Sequence, residues 1–227
     1  MRVDRPLVQK SATPSISGDA GGPLVLIVDD DDAVREALSE LVRSAGFEPV
    51  GFGSTRELVE ADILDAPGCL VLDVRMPGAS GLDLQTQFVR NGNAKPIIFL
   101  TGHGDIPMSV QAMKAGAVDF LTKPVRDQTL LDAIAAGIAM DAAQRAEAEI
   151  TRRNAERYQT LSPRERQVLR EVLRGRLNKQ IAFDLGISEV TVKLHRSNAM
   201  RKMGATSIGM LIRVWETLPA QVRDAAW

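Results

Sequence analysis

At 227 residues, with 44% hydrophobic and 25% charged side chains, the chain has room for two modest domains and the make-up of an ordinary soluble globular protein. Its longest apolar runs, such as residues 24–28, are too short to cross a bilayer, residues 1–22 lack the apolar stretch of an export signal, and the lone Cys69 excludes an intramolecular disulfide or cysteine zinc cluster, which together fit a cytoplasmic protein with no membrane partner. The net charge of −1 conceals an acidic stretch over 23–141, with 9 Lys and Arg against 18 Asp and Glu, and a basic one over 159–227, with 12 against 6; a cation suits the first and a polyanion the second.

Residues 1–22, rich in Ser, Gly, Pro and Thr, read as a disordered tail. From there short apolar runs alternate with amphipathic segments. Strands are expected at 24–28, 48–52, 69–72, 96–100 and 118–121. The helices between them fall at 33–45, after a capping box of Ser54 and Glu57, near 81–91, near 105–115 and from about 126. Five short strands alternating with helices imply a parallel sheet covered on both faces. Residues 127–158 read as one long helix. Its charged later part suits a solvated helical linker over 143–158, or a coiled-coil contact, better than a core element. Cys69, inside an apolar run, reads as a small buried residue.

In doubly wound sheets, chemistry gathers beyond the carboxyl ends of the strands. Those ends carry Asp29 and Asp30, Asp73, Thr101, and Thr122–Lys123–Pro124. Converging carboxylates repel one another unless a hard divalent cation such as Mg²⁺ offsets them. A carboxylate among cations can attack phosphorus and become an aspartyl phosphate. An ammonium and a hydroxyl would neutralise and position the phosphoryl oxygens. Asp31 and Asp32 read as helix caps.

Further along, Ser162–Pro163–Arg164–Glu165 combines an N-cap, a proline at the first helical position and a capping-box glutamate. The helix it opens carries Val168, Leu169, Val172 and Leu173 on its inner face and closes at Gly175. A second helix from Asn178 stops at Gly186, Ile187 plugs the core, and Ser188 caps a third over 189–203. That succession reads as a helix-turn-helix. Val190, Val192, His195, Ala199 and Met203 mark the expected inner face of the third helix. Lys193, Arg196, Arg201 and Lys202 supply cations for phosphates or base edges.

The segment VLDVRMPGASGLDL (71–84), with VDDDD, LTGHGD and LTKP, resembles the receiver domain of two-component response regulators over residues 23–142. That resemblance implies a flavodoxin-like doubly wound five-stranded parallel sheet, with Asp73 as phosphoacceptor. It also implies that Asp29, Asp30, Asp73 and the carbonyl of Arg75 bind Mg²⁺, with Thr101 as switch hydroxyl and Lys123 as phosphate partner. Phe120 takes the aromatic switch position, and the Lys123–Pro124 bond is expected to be cis. Arg75 and His103 occupy positions that influence attack by water on the acyl phosphate.

Residues 159–227, with LSPRERQVL, NKQIA, LGIS and TVKLHR, resemble the LuxR/NarL-type output domain, an all-α helix-turn-helix domain of four helices. The resemblance places Thr191, Lys193, Leu194 and Ser197 toward the DNA groove. Asn178, Lys179, His195, Arg196 and Lys202 become phosphate or framing contacts, and the helix near 206–217 a dimer surface on DNA. Together the two halves resemble FixJ-type response regulators, a group extending to regulators of nitrogen fixation, aromatic catabolism and nodulation. The implied partners are a sensor histidine kinase, double-stranded promoter DNA, RNA polymerase and, once phosphorylated, a second copy through Val110 and Lys114. Two other readings stay open at this point. One is a haloacid-dehalogenase-type phosphatase with Asp29 as nucleophile, and the other a DNA-binding regulator indifferent to phosphorylation.

Overall fold

A computed structural model describes residues 22–78, 80–102 and 105–224. Two compact units fall within residues 1–144 and 145–227. In the first, β1 (Leu24–Val28), β2 (Glu48–Phe52), β3 (Gly68–Leu72), β4 (Ile97–Thr101) and β5 (Asp119–Thr122) form one sheet in the order β2-β1-β3-β4-β5. All neighbours are parallel, with Leu24 facing Glu48 on one side and Gly68 on the other. Helices α1 (Asp32–Ser44), α2 (Thr55–Glu60), α3 (Gly81–Arg90), α4 (Ile106–Lys114) and α5 (Asp127–Gln159) follow the strands in turn.

The central strands β1, β3 and β4 are buried at every position, which is why they read as unbroken apolar runs rather than alternating ones. Their two faces feed two cores. Leu26, Val28, Leu70, Leu72 and Phe99 pack with Leu58, Leu84 and Phe88 of α2 and α3, and with Ala112 of α4. Val25, Ile27, Cys69, Val71, Ile98 and Leu100 pack with Val42 of α1 and with Leu130 and Ile134 of α5. Burial pushes the Cys69 thiol up to about 12, with Lys95 opposing and Asp141 adding to it, so Cys69 is a packing residue without thiolate chemistry.

Strands β4 and β5 each begin one residue later than the apolar runs suggest and take in Thr101 and Thr122, which pair with each other. The Ser54 capping box is half made. Ser54 Oγ accepts from the Glu57 amide at 3.2 Å, but Glu57 Oε2 reaches past the cap to the Gly53 amide at 2.7 Å.

The second unit contains α6 (Pro163–Leu173), α7 (Asn178–Leu185), α8 (Glu189–Lys202), α9 (Ile208–Glu216) and a short α10 (Ala220–Asp224). Among its described residues a five-residue helix, α10, follows the four expected. Its core is built from Leu161, Val168, Leu169, Val172, Ile181, Val192, Ala199, Met203, Leu211 and Trp215. The expected linker over 143–158 needs correction, because only 142–150 is uniformly exposed. Beyond it, Asn154 is buried and donates from Nδ2 to Thr217 Oγ1 at 2.8 Å. Tyr158 is buried edge-on to Trp215 at 5.7 Å, under the Arg166 guanidinium. The last turns of α5 are therefore core, with Arg152, Arg153 and Glu156 facing outward and Arg157 half-buried.

Both bonds of the Ser162–Glu165 capping box are present. Glu165 Oε2 also accepts from Lys202 Nζ at 2.7 Å. Burial pushes the Glu165 carboxyl up, but the hydrogen bond from Lys202, those from Ser162 and the Lys202 charge outweigh it and hold it below the usual range. Since the folded value is the lower one, this group stabilises the unit above the ordinary glutamate pKa of about 4.3. That contribution is lost as pH falls through the folded value. Glu165→Gln is expected to remove this part of the acid slope and to lower stability at pH 7 by about 1–2 kcal/mol. Urea unfolding at pH 7 and pH 4, followed by Trp215 fluorescence in a Trp227→Phe background, checks it; a slope like that of the unsubstituted protein would assign acid sensitivity elsewhere.

Candidate phosphoacceptor pocket and nucleic-acid interface

At the carboxyl ends of β1 and β3 the sheet brings together Asp29, Asp30 and Asp73, each with a carboxylate oxygen within 4.8 Å of the others. Asp29 and Asp73 are buried and Asp30 is exposed. The backbone fixes both buried residues, since the Asp29 amide donates to Phe52 O at 3.2 Å and the Asp73 amide to Val28 O at 2.9 Å. Asp73 Oδ1 accepts from the Arg75 amide at 3.1 Å, and Asp29 Oδ1 from the Asp31 amide at 3.0 Å. Asp31 caps α1 through the amides of Ala33 and Val34.

Lys123 comes from the far side of the pocket. Its Nζ donates to Asp29 Oδ2 and, at 3.2 Å, to Asp73 Oδ2. Burial works against this ammonium, but the hydrogen bond and charge of Asp29, then those of Asp73, prevail and raise its pKa above the ordinary lysine value. Its amide donates to the Thr101 carbonyl at 2.8 Å, tying the ends of β4 and β5 together. The Lys123–Pro124 peptide is cis. Thr101 is buried, and the half-buried Phe120 ring lies 5.9 Å from that of Phe99. The donor set is three hard oxygens with a basic neighbour, which suits Mg²⁺. His103 lies outside the described residues, and Arg75 is exposed.

Two residues here are not singled out by sequence reasoning. Arg35 Nη1 donates to the Asp29 carbonyl at 2.6 Å while Nη2 pairs with Asp32, so a cation from α1 braces the end of β1. The available signal is its place on the helix that follows four consecutive aspartates. Gly81 opens α3 so close to the pocket that a Cβ would sit 2.4 Å from the Asp73 carbonyl oxygen. Only a bare backbone lets the helix start there. On α4, Val110 is exposed in line with Ile106 and Met113, and Lys114 is exposed beside them.

In the second unit, Gly186 at φ 63 stops α7 and Ser188 caps α8 through the Thr191 amide. Lys179, Lys193, Leu194 and Ser197 are exposed; Asn178, Thr191, His195 and Arg196 are half-buried. Arg196 Nη1 donates to Asn178 Oδ1 at 3.0 Å, and Thr191 Oγ1 is hydrogen-bonded to Ser188 Oγ at 2.8 Å. Lys193, Arg196 and Ser197 line an open hollow with Arg201 and Thr206, the latter not anticipated from the sequence. Lys202 turns inward, donating to Glu165 and to the Thr160 carbonyl at 3.1 Å. These bonds suit the framing role, one of the two that the resemblance gives Lys202. Val190 is not on the inner face as expected but 74% exposed. It lies two residues from buried Val192, about 200° around the helix. Ile208 and Ile212, one turn apart on α9, are both exposed.

No helix of the described residues is long and apolar enough to cross a membrane. Residues 25–135 match the family model for the response regulator receiver domain, and residues 159–215 that for bacterial regulatory proteins of the luxR family. Nodulation protein W of Bradyrhizobium diazoefficiens is 53% identical over 196 residues, covering 86% of each chain. Response regulator protein TodT of Pseudomonas putida is 54% identical over 195 residues, again covering 86% of each. The solved structure of response regulator StyR superposes with a TM-score of 0.78 at 48% identity, covering 86% of this chain and 98% of that one. The chain therefore belongs to the two-component response regulators that carry a receiver domain and a LuxR-type DNA-binding domain.

Proposed function

We propose that Asp73 accepts a phosphoryl group from the phosphohistidine of a sensor histidine kinase, and that this promotes dimerisation and binding of α8 to promoter DNA. The observation that carries the reading is the Lys123 ammonium shared between Asp29 and Asp73 at the strand ends. It supports a pocket suited to receive phosphoryl charge. An Asp73 carboxylate oxygen attacks phosphorus, the phosphorus–nitrogen bond breaks, and the imidazole leaves with that electron pair and takes up a proton. Asp29, Asp30, Asp73 and the Arg75 carbonyl would hold Mg²⁺, which would supply charge to offset the carboxylates and the phosphoryl oxygens. Lys123 exchanges a carboxylate partner for a phosphoryl oxygen, and the Thr101 hydroxyl donates to another. Phe120 follows Thr101, and the exposed side of α4 around Val110 and Lys114 becomes the dimer face. Arg75 and His103 set how readily water reaches the acyl phosphate.

On DNA, Lys179, Asn178, His195 and Arg196 address phosphates or frame α8, while Thr191, Lys193, Leu194 and Ser197 face the groove. Phosphate contacts set position and base contacts set sequence. Ile208 and Ile212 form the contact between DNA-bound copies. The chain works in the cytoplasm, where the bound dimer recruits RNA polymerase and activates transcription.

The test is binding-site selection with the full chain, followed by affinity measurements with and without acetyl phosphate and Mg²⁺. Phosphodonor is expected to tighten binding by roughly 5- to 150-fold and to shift the chain toward a dimer in sedimentation. Equal affinity in both states would favour a regulator indifferent to phosphorylation.

A further inference from the structure

We propose that Val190 is a base-reading residue, presenting its apolar side chain, with that of Leu194, to thymine 5-methyl groups in the major groove. This rests on α8 being the groove helix. Val190 and Leu194 are 74% and 59% exposed. They lie one turn apart, and positions 190, 193, 194 and 197 share one helical face. That face therefore carries an aliphatic, a cation, a second aliphatic and a hydroxyl: Val190, Lys193, Leu194 and Ser197.

A scattered surface aliphatic needs no explanation, but two on the face that also bears Lys193, beside the hollow lined by Arg196 and Arg201, do. Those cations select a polyanion as the occupant. Within the major groove, the 5-methyl group of thymine is the apolar feature that distinguishes one base pair from another. Val190 is part neither of the core nor of the cap: Val192 fills the interior, and Ser188 serves α8 through Thr191. Val190 and Leu194 are separated along the axis by about 6 Å, on the order of two base-pair steps. The two side chains can therefore read separate thymines in one half-site.

The full chain, treated with acetyl phosphate and Mg²⁺, is used to select a site from random duplex DNA. Each thymine of that site is then replaced singly by deoxyuridine, which keeps base pairing and removes the methyl group. At the thymine that Val190 reads in each half-site, distinct from any read by Leu194, the loss is expected to weaken binding about fourfold. Val190→Ala is expected to bind the parent site correspondingly more weakly and to ignore the methyl at that position. Lys193→Ala should weaken binding while keeping the methyl preference there. A flat uracil scan with tight, sequence-selective binding would overturn the role of Val190 alone. Full methyl discrimination retained by Val190→Ala would do the same. Val190→Ala that binds normally but no longer supports transcription would make Val190 a protein contact and also overturn the proposal. Failure to select any site would overturn both it and the assignment of α8.

Discussion

Asp73→Asn is expected to abolish phosphorylation by acetyl phosphate, slowing it by at least about a thousandfold, while leaving the receiver folded. The asparagine amide keeps the shape of the carboxylate and can still accept from the Arg75 amide, as Asp73 does at 3.1 Å. It loses the anionic oxygen that attacks phosphorus. Its effect on stability is the balance of two opposing changes. One of three carboxylates within 4.8 Å disappears, which relieves repulsion, and Lys123 keeps Asp29 but loses its second partner. The net change is expected within about 1 kcal/mol. Intact mass and phosphate-affinity electrophoresis report the first effect, and calorimetry the second. DNA affinity should then no longer respond to phosphodonor. Unimpaired phosphorylation of Asp73→Asn would move the acceptor to Asp29 or Asp30 and revive a first-strand nucleophile.

The strands and the pocket were legible for a common reason. A parallel sheet buried on both faces needs unbroken apolar runs such as residues 69–72, and the first polar residues after such runs must emerge at one edge. The sequence alone therefore brings Asp29, Asp73, Thr101 and Lys123 to one edge of the sheet. What escaped depends on neighbours distant in sequence or on angular position. Gly81 matters because of a carbonyl eight residues earlier that a Cβ would strike. The end of α5 reads as solvated because charge dominates its composition, yet Asn154 and Tyr158, with Ala155 packed beside them, seat it in the core. Lys202 reads as a phosphate or framing contact, and which of the two is not legible because its partner Glu165 lies 37 positions away. The mixed three- and four-residue spacing admits Val190 to the inner face because it tolerates one misplaced position. The angle from Val192 corrects it.

Lys123→Ala is expected to make the stability of the receiver depend steeply on Mg²⁺. The ammonium is the charge that holds Asp29 and Asp73 together, through one bond to each. Unit charges within 4.8 Å of one another repel by on the order of 3 kcal/mol or more at an effective dielectric constant of about 20. Breaking a fully buried ion pair costs about 3–5 kcal/mol. The Lys123 side chain is 23% exposed, so solvent screens part of this, and a loss of about 2 kcal/mol is expected without divalent cation. Adding Mg²⁺ should return most of it, by a larger increment than in the unsubstituted protein, because binding to the folded state stabilises it by mass action. The pH dependence has a definite sign. The folded pKa of Lys123 is raised, so its stabilisation is complete below the ordinary lysine value of about 10.4. It is lost as pH rises through the higher folded value, and in Lys123→Ala that alkaline loss should be absent. Calorimetry of the full chain at pH 8 with and without Mg²⁺, and at pH 11 without it, separates these effects. A Mg²⁺ response equal to that of the unsubstituted protein would mean that Lys123 does not supply the charge the three carboxylates require. With the ammonium gone, phosphoryl transfer to Asp73 is expected to slow by about 10- to 100-fold, through loss of a cation positioned for the phosphoryl oxygens rather than loss of the nucleophile.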